Sequence, residues 1–128
     1  MKLVILGTGS AMPTESRHHS ATALDIGSEV LLFDCGESTQ LQLSKAKISA
    51  NKISKIFITH WHGDHVLGLP GLLQSMSLNK RTKPLNIYGS AGTKEKVRKI
   101  SSAFGIFPTF KITITEDTFY RFGSSRGL

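Results

Sequence analysis

Three histidines and an aspartate fall within six positions, His60-Trp61-His62-Gly63-Asp64-His65, directly behind the strand-like run Lys55-Ile56-Phe57-Ile58-Thr59. Four such side chains cannot be packed one by one into a core, because each would need its own polar partner. A divalent cation satisfies them together, since neutral imidazole nitrogen and carboxylate oxygen are the ligands that zinc and its first-row neighbours take. In an extended segment His60 and His62 point the same way, because side chains alternate with a period of two. Asp64 and His65 follow a glycine, where the chain can bend and aim them at a second point. The pattern predicts two adjacent metals with two ligands each from this loop, the layout of two-metal hydrolases. Chance would produce it in roughly one chain in ten thousand, which leaves little room for a merely His-rich surface loop.

The remaining residues alternate strand and helix signals. Residues 2–6 read as a strand stopped at Gly7-Thr8-Gly9-Ser10. That turn lacks the third glycine and the following helix of a phosphate-binding loop. Residues 20–26 and 29–33 read as strands joined by a hairpin at Gly27-Ser28. Residues 37–46 read as a helix, and residues 53–59 as the strand that delivers the histidines. A helix over 68–79 carries an apolar stripe, Leu69, Leu72, Leu73 and Met76, expected to face the core. A strand at 85–88, a Lys- and Arg-rich amphipathic helix at 93–103 and a strand at 110–115 complete the chain. No repeat, low-complexity tract or linker interrupts it, so one α/β domain over residues 1–128 is expected.

A net charge of +7 and a pI near 9.8 favour an anionic partner, RNA included. The single cysteine excludes an internal disulfide and fits a reducing compartment, with Cys35 as a packing residue. No signal-peptide core or membrane-length apolar run is present, which reads as a cytoplasmic chain without a membrane partner. The glutamates at 15, 29, 37, 95 and 116 form no close pair, and Ser–His nucleophile motifs are missing. Carboxylate-dyad and triad chemistry are thereby disfavoured.

His60-X-His62-X-Asp64-His65 behind a strand resembles the signature of the metallo-β-lactamase superfamily. Within it the chain is similar to the ribonuclease Z family over nearly all of residues 1–90. The similarity runs through Leu6-Gly7-Thr8-Gly9-Ser10-Ala11-Met12-Pro13-Thr14 and Leu32-Phe33-Asp34-Cys35-Gly36-Glu37-Ser38-Thr39-Gln40. It continues through Ile56-Phe57-Ile58-Thr59-His60 and Gly63-Asp64-His65-Val66-Leu67-Gly68-Leu69-Pro70-Gly71-Leu72-Leu73.

The resemblance implies an αβ/βα four-layer sandwich and a zinc-dependent endoribonuclease that trims precursor-tRNA 3′ ends by attack of a metal-activated hydroxide on a phosphodiester. It places His60 and His62 on one zinc and Asp64 and His65 on the other, with manganese as the alternative metal. Asp64 gains a second, catalytic duty as acceptor of the nucleophile's proton. Asp34 matches a carboxylate that supports the loop. His18 and His19, beside Glu15, Ser16 and Arg17, fall in a loop at the rim of the site, as surface residues or neighbours of a phosphate contact through Arg17. Lys80, Arg81 and Lys83, and Lys94, Lys96, Arg98 and Lys99, either contact a tRNA backbone or form solvated faces. Full-length members of the family are expected as homodimers.

The family also implies a further His, Asp and His in its second half. No histidine follows His65 here and the only later aspartate is Asp117, so the chain reads as the N-terminal half of the fold, with residues 121–128 a truncated or frame-altered end. Half of a two-sheet sandwich should leave one sheet face bare. Two rivals remain at this stage: another phosphodiesterase or small-molecule hydrolase of the superfamily, and an inactive metal- or RNA-binding module.

Overall fold

In the computed structural model, which describes residues 1–8 and 19–117, the strand runs assemble into one six-stranded sheet in sequence order. β1 (Lys2–Gly7), β2 (Ala21–Asp25) and β3 (Val30–Phe33) form an antiparallel meander. The expected hairpin turn is there: Gly27 has φ 91°, and the Asp25 carboxylate accepts its N–H at 2.9 Å. From β3 onward the neighbours β4 (Ile53–Phe57), β5 (Leu85–Gly89) and β6 (Ile112–Glu116) are parallel.

Each parallel step needs a crossover. The first is α1 (Thr39–Lys45) with a 3₁₀ turn at Ala50–Lys52. The second is the single turn α2 (Gly63–Val66) followed by α3 (Leu69–Leu78), and the third is α4 (Thr93–Ala103). All three steps advance in one direction, and right-handed crossovers then put their helices on one face.

That face is the core. Ala23, Val30, Leu32, Ile53, Ile56 and Ile87 are fully buried there. They pack in one cluster with Leu43 of α1, the stripe Leu69, Leu72, Leu73 and Met76 of α3, and Val97 of α4. The alternate residues build the opposite face, which no described helix covers. Leu3 and Ile5 are 63% exposed there. Phe33, Phe57 and Tyr88 lie in register across β3, β4 and β5, half-buried, with ring centroids 5.0 and 4.8 Å apart. The described residues thus supply one helix layer and one sheet, with the other sheet face bare as expected.

Three local features depart from expectation. The strand placed at 110–115 is displaced to Ile112–Glu116, because Phe110 turns into the core under Arg81, 5.3 Å from the guanidinium carbon. β4 stops at Phe57 although the apolar run continues, since the Thr59 N–H goes to a carboxylate of Asp34 instead of a neighbouring strand. Arg81, grouped above with surface cations for an RNA backbone, is only 3% exposed. Its guanidinium donates to the carbonyls of Ile53 (2.6 Å), Lys83 (2.9 Å), Pro84 (3.1 Å) and Asn51 (3.2 Å). These carbonyls lie at the start of β4 and in the loops beside it, so Arg81 staples the α3–β5 connection to β4 and is not available to a phosphate. Among the described residues no helix is long and apolar enough to cross a membrane.

Candidate metal centre

The loop carrying His60 to His65 leaves β4 at the C-terminal edge of the parallel strands, where α/β sheets form their ligand clefts. A second turn supports it from below. Asp34, at the end of β3, has φ 63°, and this left-handed step swings Cys35 and Gly36 under the loop. The Cys35 N–H donates to the His65 carbonyl at 2.7 Å, and the Cys35 carbonyl accepts from Gly68 at 2.9 Å. Ser20 donates to the Asp64 carbonyl at 3.1 Å. The layers are close enough that a Cβ on Gly36 would overlap His19 and the Asp64 carbonyl, and one on Gly68 would overlap the Gly36 carbonyl. The sequence phrase Asp34-Cys35-Gly36 therefore has a physical purpose: it is the seat of the loop.

Asp34 is 5% exposed and its carboxylate is fully engaged. One oxygen accepts the Thr59 N–H at 2.8 Å, and the other accepts from Nδ1 of His65 at 2.7 Å. A carboxylate only accepts, so the proton in the second contact belongs to His65 Nδ1 and the Nε2 lone pair points outward. That Nε2 faces Asp64 Oδ2 at 3.3 Å. Two lone-pair atoms so close repel unless a cation stands between them, either a metal or the second proton of an imidazolium. Zinc bonds of about 2.0–2.1 Å at a tetrahedral angle put neighbouring ligand atoms about 3.3–3.4 Å apart. The pair fits one such ion.

His60 and His62 lie on the same side of their segment, with ring centroids 4.5 Å apart and edge-to-face. The His60 ring also lies 3.9 Å from that of His65. Burial lowers the His60 pKa from its usual value, with the neighbouring His65 and His62 adding to the effect, and a neutral ring is the form that binds metal. Among the described residues no three His, Cys, Asp or Glu side chains are arranged around one ion. Asp64 and His65 stand on α2, whose N-cap is His62. Sequence reading missed this turn, although Gly63-Asp64 directly behind an extended residue carries the acidic first-turn signal of a helix start.

Trp61 points away from the histidines, and the sequence reading passed over it. Its indole N–H donates to Thr93 Oγ1 at 2.9 Å, and the Lys96 ammonium lies 5.7 Å from its ring. A cavity of about 440 Å³ opens between Trp61, Val66, Pro70, Ile100 and Phe104, with Lys96 and Lys99 in its lining. The four cations of α4 are not alike: Arg98 pairs with Glu95 at 2.6 Å, while Lys96 sits on the loop. The N-terminal N–H groups of α4 at Gly92 and Lys94 reach the Glu116 carboxylate at 3.1 Å each, which holds the Glu116 pKa below its usual value.

His19, expected at the surface, is 2% exposed, because it lies against the Gly36 turn, where its Nδ1 accepts the Glu37 N–H at 3.2 Å. Glu15, Ser16, Arg17 and His18, and residues 121–128, lie outside the described residues. Cys35 is wholly buried, and burial pushes its thiol pKa up to about 12, as suits a packing residue.

A family model described as anti-Pycsar protein Apyc1 matches residues 1–118. Ribonuclease Z of Methanococcus aeolicus is 50% identical over 116 residues, which cover 91% of this chain and 36% of that protein. Ribonuclease Z of Methanocaldococcus jannaschii is 50% identical over 111 residues, 84% of this chain and 35% of that one. The crystal structure of human tRNase Z, short form, matches with a TM-score of 0.85 and 43% identity, covering 91% of this chain and 45% of its own. The metallo-beta-lactamase fold protein YhfI from Bacillus subtilis shares the fold, with a TM-score of 0.72 at 21% identity. This chain spans about a third of the length of the curated relatives it matches.

Proposed function

From a chain that belongs to the family described as anti-Pycsar protein Apyc1, and to the ribonuclease Z group of the metallo-β-lactamase superfamily, we propose a zinc-dependent endoribonuclease acting on precursor-tRNA 3′ ends. Residues 1–128 are read as the N-terminal share of one such domain, whose other ligands come from the part of the relatives that this chain does not span. His60 and His62 would hold one ion and Asp64 and His65 the other, and Asp64 would also take the proton of the attacking water. Zinc is the expected metal and manganese the alternative; the two ions, when bound, lower the pKa of water and stabilise charge on the attacking and leaving oxygens. Asp34 keeps His65 in the tautomer that exposes Nε2, and the seat beneath the loop fixes where both donors stand.

One observation carries this reading: His65 Nδ1 lies 2.7 Å from the Asp34 carboxylate while Nε2 of the same ring lies 3.3 Å from the Asp64 carboxylate. The net charge of +7, with Lys96 and Lys99 beside the loop, suits a polyanionic substrate. Homodimeric assembly and a cytoplasmic location complete the reading.

The family description names a different protein from the relatives. Identity of 50% over nine-tenths of the chain is the better guide to chemistry, so ribonuclease Z leads and another phosphodiester substrate is the second reading. A chimera decides between them, with residues 1–117 of this chain replacing the matching segment of the Methanococcus aeolicus enzyme. Metal-dependent cleavage of a precursor tRNA is expected, abolished by Asp64→Ala. Turnover that survives Asp64→Ala overturns the site assignment. A chimera inactive on precursor tRNA but active on other phosphodiesters moves the function to the second reading.

A further inference from the structure

Asp34 has more rings to orient than it can reach. Its two oxygens serve the Thr59 N–H and His65 Nδ1, at 2.8 and 2.7 Å, and the His60 ring receives no direct contact from it. Between them stands the Thr59 hydroxyl, 2.9 and 3.0 Å from the two Asp34 oxygens and 3.2 Å from His60 Nδ1. His65 Nδ1 lies farther away, at 3.4 Å. A hydroxyl has one proton and two lone pairs. The carboxylate accepts only and is the stronger acceptor, so the hydroxyl proton goes to Asp34. What Thr59 turns toward His60 is a lone pair, and the proton in that contact has to come from the ring.

We propose that Thr59 is a positioning residue for the metal loop: its hydroxyl relays the Asp34 carboxylate to His60, holds that ring as the Nδ1–H tautomer and leaves Nε2 bare for the ion. The role in metal binding rests on the function proposed above; the tautomer lock itself does not. Thr59 suits the task because its β-branched side chain is stiff and its own N–H is tied to the same carboxylate. His65 does not need the hydroxyl, being held by Asp34 directly. The two rings are therefore oriented by different means from one carboxylate, and a single substitution separates them.

The test is nitrogen NMR of the histidine rings in the metal-free 128-residue chain near pH 8, where neutral imidazoles report their tautomer. In the wild type His60 should be the Nδ1–H tautomer, and His65 should keep a proton on Nδ1. Thr59→Val keeps the shape without the hydroxyl, and the exposed position makes it tolerable to the fold. It should move His60 to a tautomer mixture and leave His65 unchanged; Thr59→Ser should restore His60, and Asp34→Asn should disturb both. Zinc titration of the same proteins should give about tenfold weaker binding for Thr59→Val and near wild-type binding for Thr59→Ser. His60 remaining Nδ1–H in Thr59→Val, or both rings shifting together, overturns the relay. The expected tautomer pattern with equal zinc affinity in wild type and Thr59→Val overturns the role of Thr59 in metal binding and leaves the relay standing.

Discussion

Along β4, Ile56 points under the helices and is fully buried, while Phe57, one residue on, points to the bare face and stays half-exposed. The same contrast repeats across the sheet: Leu32 against Phe33, and Ile87 against Tyr88. On the covered face apolar side chains meet α1, α3 and α4; on the other no described helix meets them, and they form the stacked row Phe33–Phe57–Tyr88 and the exposed pair Leu3 and Ile5. Strands apolar on both sides are the mark of a sheet covered twice. Stability in the chain as described therefore comes from one face, and the other is surface available for burial.

Arg81 gives the largest test of that asymmetry, because it ties the covered face's connections to the sheet through carbonyls of Ile53, Lys83 and Pro84. Arg81→Ala strips buried acceptors of their donor, at about 1–3 kcal/mol each. The combined loss, about 4 kcal/mol or more, is a large share of the stability of a small domain. Near-UV circular dichroism should show the aromatic signal largely lost at 25 °C. A native-like spectrum and unchanged urea midpoint would show that these loops do not hold the core.

The adjacent pair Ile56 and Phe57 makes the sharpest comparison. Ile56→Ala should cost about 3 kcal/mol in urea unfolding, since it opens a cavity in packed surroundings. Phe57→Ala should cost about 1 kcal/mol or less, although it removes more atoms, and should reduce self-association measured by light scattering. Equal losses at the two positions would mean that the second face is covered in solution.

The smallest effect belongs to Cys35, whose thiol should resist iodoacetamide at pH 8 and react promptly in urea, because burial keeps it protonated. Its folded pKa, about 12, is raised above the ordinary value of 9.0. The associated stability is fully present below about pH 9 and is lost as pH rises through about 12. Between those limits Cys35→Ala should flatten part of the decline in urea midpoint. Rapid labelling of the folded chain would place Cys35 outside the core.

The elements that the sequence announced were those whose signal is local. The hairpin at Gly27-Ser28, the apolar stripe of α3 and the span of α4 follow from turn chemistry and 3.6-residue periodicity, and each was found where expected. His60 and His62 fall together for the same reason, since alternation in an extended segment is a local property. Arg81 and His19 were misread because their burial depends on partners far along the chain: the carbonyl of Ile53 for one, the Gly36 turn for the other. Trp61 carried no distinguishing signal until Thr93 and Lys96 were brought to it.

By itself the sequence determined which donors the loop carries and the α/β pattern around it, because donor type and hydrophobic period are properties of neighbouring residues. Only the tertiary structure decided which atoms those donors present. Asp34 lies 25 residues from Thr59 and 31 from His65, and nothing in that spacing states that one carboxylate holds both. The parallel pairing of β3 with β4 does so, by bringing the end of one strand beside the loop that leaves the other.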